Sequence, residues 1–297
     1  MPYQLAALLA ATAWACSSLI AAEPVRRLGG PRWCRIRMLW VCAMLTAWAT
    51  LKGGWASIDT GDLRLLALSG MVGIFVGDAG LFIAMSRIGP RRTSVLFTTN
   101  TPMAALGGVF LFHESFTAWS LIGATLTVLG VMLAINFGSG RGVPSDVYER
   151  IDGRLRVGVA WATVGAVGQA AGVLAAKPIL DAGADTIAVA AARALLATAA
   201  MWAVYRPTDR LVRSDTSAPI RRTDHWRFAA SGLVAMVVGM TLLLYALANG
   251  DTGVATILSG TTPVLLLPIL WARTRQPPSP GAWFGAGLTV VGTALLV

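Results

Sequence analysis

Residues 65–86, LLALSGMVGIFVGDAGLFIAMS, decide the fold when read beside residues 228–248, FAASGLVAMVVGMTLLLYALA. Each is an apolar run of about 20 residues, the length an α-helix needs to cross the hydrocarbon core of a bilayer. The two are also versions of one segment. Ser69-Gly70 returns as Ser231-Gly232, Gly77 as Gly239 and Ala84 as Ala246, each 162 positions on.

The match continues outward. Thr101-Pro102 returns as Thr262-Pro263, and Gly123, Leu126, Thr127, Val128 and Gly130 return as Gly285, Leu288, Thr289, Val290 and Gly292. Upstream, Ala21-Ala22-Glu23-Pro24 echoes Ala175-Ala176-Lys177-Pro178. Apolar windows then predict ten spans, at residues 5–22, 38–51, 65–86, 93–112 and 118–137, and again at 157–180, 186–205, 228–248, 253–272 and 282–297. The expected fold is an all-α integral membrane protein with ten transmembrane helices. They form two five-helix repeats, residues 1–138 and 155–297, joined by a linker at 139–154 that is expected to be cytoplasmic.

Composition agrees with a lipid solvent. Of 297 residues, 56% are apolar and only 13% are charged, against roughly a quarter in ordinary soluble domains. So few charges could not cover a water-exposed surface. The net charge of +10 comes almost wholly from Arg, in short clusters between apolar runs rather than along one face. That excludes a nucleic-acid footprint. Cys16, Cys34 and Cys42 fit neither a disulfide framework nor metal-ligand spacing, and His113 and His225 stand alone, so no metal site or cofactor is expected. Met1 to Gln4 carries no Lys or Arg, so the first span reads as uncleaved rather than as an export signal.

Five spans per copy is an odd number, so the second copy must enter the membrane from the opposite face. The charges say the same independently. The first loop of copy one carries Arg26, Arg27, Arg32, Arg35 and Arg37, while its counterpart at 181–185 has Asp181 and Asp185 and no Arg. The second loop reverses the bias, with Lys52, Asp59 and Asp62 in copy one and six Arg in copy two. Over the whole chain, twenty basic residues fall on one face and three on the face of the N-terminus. The positive-inside rule then makes the basic face cytoplasmic and places both termini outside the cytoplasmic membrane.

The run Gly77-Asp78-Ala79-Gly80-Leu81-Phe82, then Ile88-Gly89-Pro90-Arg91-Arg92, Asn100-Thr101-Pro102 and Glu114, resembles the first unit of EamA-type transporters. Gly239 to Leu247, followed by Thr262-Pro263, resembles the second. The likeness to a ten-helix EamA-type member of the drug/metabolite transporter superfamily covers essentially the whole chain. It implies inverted repeats and a substrate site near mid-membrane. Two features depart from the family. The acid that closes the fourth helix of each unit is Glu114 in copy one but has no counterpart in Arg273-Thr274-Arg275. The better known relatives are described with cytoplasmic termini, opposite to the charge count here.

Ionisable groups at membrane depth are functional candidates. Asp78 lies nine residues before Arg87, about 13 Å deep, and Arg193 lies eight residues beyond Asp185, about 12 Å deep. An intramembrane ion pair between them, structural or coupled to transport, is expected. Pro102 and Pro263 sit within the fourth and ninth spans, where each frees a carbonyl four residues back, at Thr98 and Ser259. With Asn100 and Thr261 they form the expected cavity lining. Trp14, Gln169, Thr241 and Tyr245 are softer candidates for it, while Ser17, Ser18 and the strings Gly70, Gly73, Gly77 and Gly168, Gly172 read as helix packing.

The function implied is secondary transport of a small metabolite, an amino acid or related compound, by alternating access. Export is the direction the resemblance suggests, with protons as a candidate coupling ion. A membrane-embedded transferase would need clustered metal-binding carboxylates, and no span contains two. A lipid-translocating or scaffold protein is the third reading. The expected partners are a small-molecule substrate and membrane lipid, with the chain a monomer or homodimer.

Overall fold

The computed structural model describes residues 1–114, 117–137, 154–204, 218–274 and 279–295. The expected linker up to residue 153, residues 205–217 and Arg275 lie outside the described residues. No strand occurs among those described. α1 (Tyr3–Leu28) and α2 (Gly30–Lys52) are joined by Gly29 alone. Its φ of 81° and ψ of 148° suit glycine and almost nothing else, so the chain reverses in one residue. Pro31, in the first turn of α2, is pre-set for a helix start.

This corrects the second span and its loop. α2 begins at Gly30 rather than residue 38, so Arg32, Arg35 and Arg37 are helical, and Arg35 and Arg37 are buried. Apolar windows missed this because three guanidiniums lower the mean hydropathy of a stretch that the interior in fact encloses.

The third span is composite. It comprises α3 (Leu63–Leu68), a π-helical segment Ser69–Asp78, and the start of α4 (Ala79–Phe97). α4 is broken at Gly89, again with φ 81° and again ahead of a proline. After a break at Thr98 and Thr99 come α5 (Asn100–Phe112) and then α6 (Ala118–Asn136). The second half repeats the order. α7 (Leu155–Asp181), α8 (Thr186–Ala203), α9 (Arg222–Gly232), a second π-helical segment Leu233–Met240 and α10 (Thr241–Ala248) lead to α11 (Thr252–Ser259). A break at Gly260 and Thr261 precedes α12 (Thr262–Thr274), and α13 (Pro280–Ala294) follows.

Among the described residues, seven helical stretches are long and apolar enough to cross a membrane: 3–28, 30–52, 60–89, 155–181, 186–203, 222–248 and 252–269. Residues 100–112 and 118–134 are shorter apolar helices. The expected count was ten. The fourth stretch falls short because the Thr98–Thr99 break divides it.

Glycine lets the helices approach to backbone contact. A methyl group on Gly73 would lie 2.9 Å from the Gly172 Cα, and one on Gly80 would lie 2.9 Å from the Gly165 Cα, so the third span lies directly on α7. α6 and α13 meet in the same way, and their contacts are reciprocal. A methyl on Gly130 would come within 2.5 Å of the Thr289 nitrogen, and one on Gly292 within 2.6 Å of the Thr127 hydroxyl. Gly130 corresponds to Gly292 in the repeat, and Thr127 to Thr289.

Any side chain at Gly130 must therefore push α6 and α13 apart, at a cost of about 1–3 kcal/mol. Gly287, on the same helix as Gly292, has open space around it. Gly130→Leu should lower the thermal midpoint in detergent by several degrees and Gly287→Ala should leave it unchanged; equal effects would mean the helices do not pack this way.

Candidate functional site

A cavity of about 170 Å³ lies between the two halves. Both helix breaks open onto it. Thr98 and Asn100 line it from the first, and Ser259, Gly260, Thr262 and Pro263 from the second. At the first break the Thr101 amide donates to the Thr98 carbonyl at 3.1 Å, and the Asn100 side-chain amide to the Phe97 carbonyl at 2.6 Å. At the second the Thr262 hydroxyl donates to the Ser259 carbonyl at 3.0 Å. Thr101 packs against Gly260, so the two breaks touch. Unwound backbone at membrane depth is tolerable where it lines such a cavity.

Among the other expected residues, Trp14, Gln169 and Asp78 line the cavity. The Trp14 indole donates to the Ala235 carbonyl at 2.8 Å, which fixes the ring against the second π-helical segment. Gln169 is 7% exposed and its Oε1 accepts no hydrogen bond within the protein. Ser17 and Ser18, read from sequence as packing, also line the cavity, although the Ser17 and Ser231 hydroxyls lie 2.9 Å apart as a packing pair would.

Four expectations about the lining are corrected. Pro102 and Thr261 stand behind the breaks rather than on the cavity wall, and the Thr261 hydroxyl is spent on the Leu258 carbonyl at 2.7 Å. The helix restarts before each proline, at Asn100 and Thr262, which turns these neighbours away. Thr241 is also outside the lining. Tyr245 lies toward the N-terminal end, where its hydroxyl donates to the Met1 carbonyl at 3.1 Å.

The ion pair is corrected as well. Asp78 pairs with Arg37, Nη2 to Oδ2 at 2.7 Å, not with Arg193. The Arg37 guanidinium also lies 4.7 Å from the Phe82 ring centre, a cation–π contact. Both charged residues line the cavity, and Asp78 is the one carboxylate among its lining residues. Arg193 is fully buried one layer back, with Nη1 3.7 Å from the Met240 sulfur.

Sequence reading missed Arg37 because it assigned the residue to a loop. One signal was available: Gly29-Gly30-Pro31 marks a helix start eight residues before the apolar window.

From Thr98 and Ser259 the cavity lining extends to Met85, Thr93 and Leu266, toward the end that carries Arg87. The opposite end is bridged between the halves. The Glu114 carboxylate accepts from the Thr252 and Gly253 amides at 2.7 and 3.0 Å, so it caps α11 from across the molecule.

The EamA-like transporter family matches residues 1–136 and 156–297, nearly the whole chain in two segments. The chain belongs to that family. It is a multi-pass membrane transporter of the drug/metabolite transporter superfamily. A solved structure described only as "Crystal structure of protein" aligns with a TM-score of 0.75 and 18% identity, covering 99% of this chain and 95% of its own. That likeness concerns the fold alone. No curated protein matched.

In this EamA-like transporter the Arg37–Asp78 pair is the one salt bridge among the described residues that line the cavity. Removing one partner of a buried pair costs about 3–5 kcal/mol, whereas replacing both with apolar groups is often neutral. Arg37→Met should therefore destabilise the protein strongly in thermal unfolding, and Arg37→Met with Asp78→Leu should recover most of the loss. Additive losses would show that the two side chains act independently.

Proposed function

We propose that this EamA-like transporter is a secondary transporter that moves a small metabolite, an amino acid or related compound, out of the cell by alternating access. The observation that carries the reading is that two broken helices, one from each half, open onto one cavity whose described lining contains a single carboxylate. Breaks of this kind at the repeat interface are where transporters of inverted-repeat design place substrate. The plan proposed is ten spans in two inverted five-helix repeats. The reciprocal Gly130–Thr289 and Gly292–Thr127 contacts support it, because a two-fold axis makes contacts come in such pairs.

Cavity chemistry supports the substrate class. At about 170 Å³ the cavity is smaller than the roughly 300–1,000 Å³ of drug-sized pockets, which favours a compact solute. Asp78 and Gln169, both on the cavity wall, suit an ammonium group. Arg37, on the cavity wall, suits a carboxylate. Phe82, Phe97, Val173, Leu243 and Leu266 leave an apolar wall for the remainder.

The Glu114 cap on α11 supports a state closed on the N-terminal face. Coupling is assigned to protons through Asp78, whose charged neighbours are Arg37 on α2 and Arg193 on α8. Both termini are assigned to the outside of the cytoplasmic membrane. The basic imbalance supports that even with the buried Arg35 and Arg37 removed from the count.

Purified protein in liposomes should show saturable uptake of some small amino acids and accumulate them when a proton gradient is imposed. Asp78→Asn should keep exchange down a gradient and lose gradient-driven accumulation. Uphill transport by Asp78→Asn with an unchanged pH profile would remove the carboxylate from coupling. In cells, a cysteine at Ser57 should react with an impermeant thiol reagent from outside and one at Thr223 should not. The reverse would invert the orientation.

A further inference from the structure

Arg37 is the eighth residue of α2, and Arg193 is the eighth residue of α8. These helices are the second elements of the two halves, so the two guanidiniums occupy equivalent places. Their potential partners are equivalent too. Asp78 ends the first π-helical segment and Met240, 162 positions on, ends the second. The first half thus has an arginine with its acid, and the second has an arginine facing a thioether.

Arg193 is 0% exposed, its Nε and Nη2 have no hydrogen-bond acceptor, and its Nη1 contact to sulfur is long at 3.7 Å. A thioether is a weak acceptor. A buried cation held so poorly is costly to keep and calls for an anion within reach. Asp78 is that anion. The Arg193 Nη2 lies 3.1 Å from where a Gly73 methyl would stand, so the guanidinium rests against this face of the helix.

Gly73 and Asp78 are five residues apart. In a π-helix i→i+5 bonding stacks such residues one turn apart, whereas an α-helix separates them by about 140° around the axis. The π-helical winding therefore keeps the carboxylate near the side of the helix that Arg193 approaches, while Arg37 reaches it from α2.

Resting on the transport reading above, we infer that Asp78 is shared between two pseudo-equivalent arginines. It pairs with Arg37 in the state described here and passes to Arg193 when the two halves exchange conformations. Arg193 is thus a positioning residue for the conformational exchange. The Asp78/Met240 asymmetry is what makes the exchange a switch, because one acid cannot satisfy both arginines at once.

The test gives Arg193 its own acid. In a background with Cys16, Cys34 and Cys42 replaced, single cysteines at Ala104 and Met85 report cavity access from each face, with an impermeant thiol reagent and no need for a known substrate. Met240→Asp should hold Asp78 on Arg37 and reduce labelling from the N-terminal face at least tenfold. Met240→Asn, equal in shape and polar but uncharged, should label like the parent. Arg193→Gln should behave like Met240→Asp, which keeps the test decisive if Met240→Asp fails to fold. Parent-like labelling of Met240→Asp or Arg193→Gln, with the parent open to both faces in turn, would overturn the shared-acid switch and leave alternating access standing. A parent labelled from one face only would overturn alternating access and the switch with it.

Discussion

A carboxylate and a guanidinium removed from water inside a membrane protein must satisfy each other, and the contact between Asp78 and Arg37 constrains much of what surrounds it. Each charge alone would cost several kcal/mol to bury. Their 2.7 Å contact and the Phe82 ring beside Arg37 offset that cost. To make the contact, α2 must begin early enough to carry Arg37 into the interior, and the one-residue reversal at Gly29 allows it. The third span must present Asp78 to the same point, and it does so at the end of a π-helical segment. Such segments cluster at functional sites because they trade regular hydrogen bonding for a re-aimed side chain.

The remainder of the architecture frames that pair without filling the space next to it. Gly73, Gly77 and Gly80 bring the third span onto α7 at backbone distance, which draws Gln169 to the cavity edge. The breaks at Thr98–Thr99 and Gly260–Thr261 contribute short polar side chains whose hydrogen bonds are mostly spent on nearby carbonyls. That leaves an apolar cavity with a few polar groups on its wall. Bridges between the halves lie at both ends. Glu114 caps α11 at one, and Glu23 and Asp224 meet Arg227 and Arg27 at the other. The Glu23–Arg227 contact is exposed and therefore weak, whereas Asp224 is buried where it meets Arg27.

Apolar length and the recurrence of Ser-Gly, Thr-Pro and Gly-rich signatures made the helical membrane fold and the family legible in the sequence. Asp78, Thr98, Asn100, Gln169 and Ser259 were legible as cavity residues because polar groups at bilayer depth need a reason to be there. The partner of Asp78 was not. Hydropathy windows penalise Arg wherever it occurs, so Arg32, Arg35 and Arg37 read as a loop. Thr261 and Tyr245 were misplaced for a different reason: which face of a broken helix meets the cavity depends on the residue at which the helix restarts. The π-helical segments left no mark in the apolar pattern, since a run apolar on every side has no face to track.

The cavity beside Arg37 and Asp78 is the proposed seat of the substrate. A panel of small amino acids and related zwitterions, screened by thermal unfolding of purified protein, tests it most directly. A ligand that binds the folded state at 100 times its Kd adds about 2.7 kcal/mol of stability. Any compound that stabilises the parent should also stabilise Tyr245→Trp, which lies outside the cavity, and should have no effect on Ser259→Trp, which fills it. Undiminished stabilisation of Ser259→Trp, or its loss in Tyr245→Trp, would contradict the claim and place the binding site elsewhere.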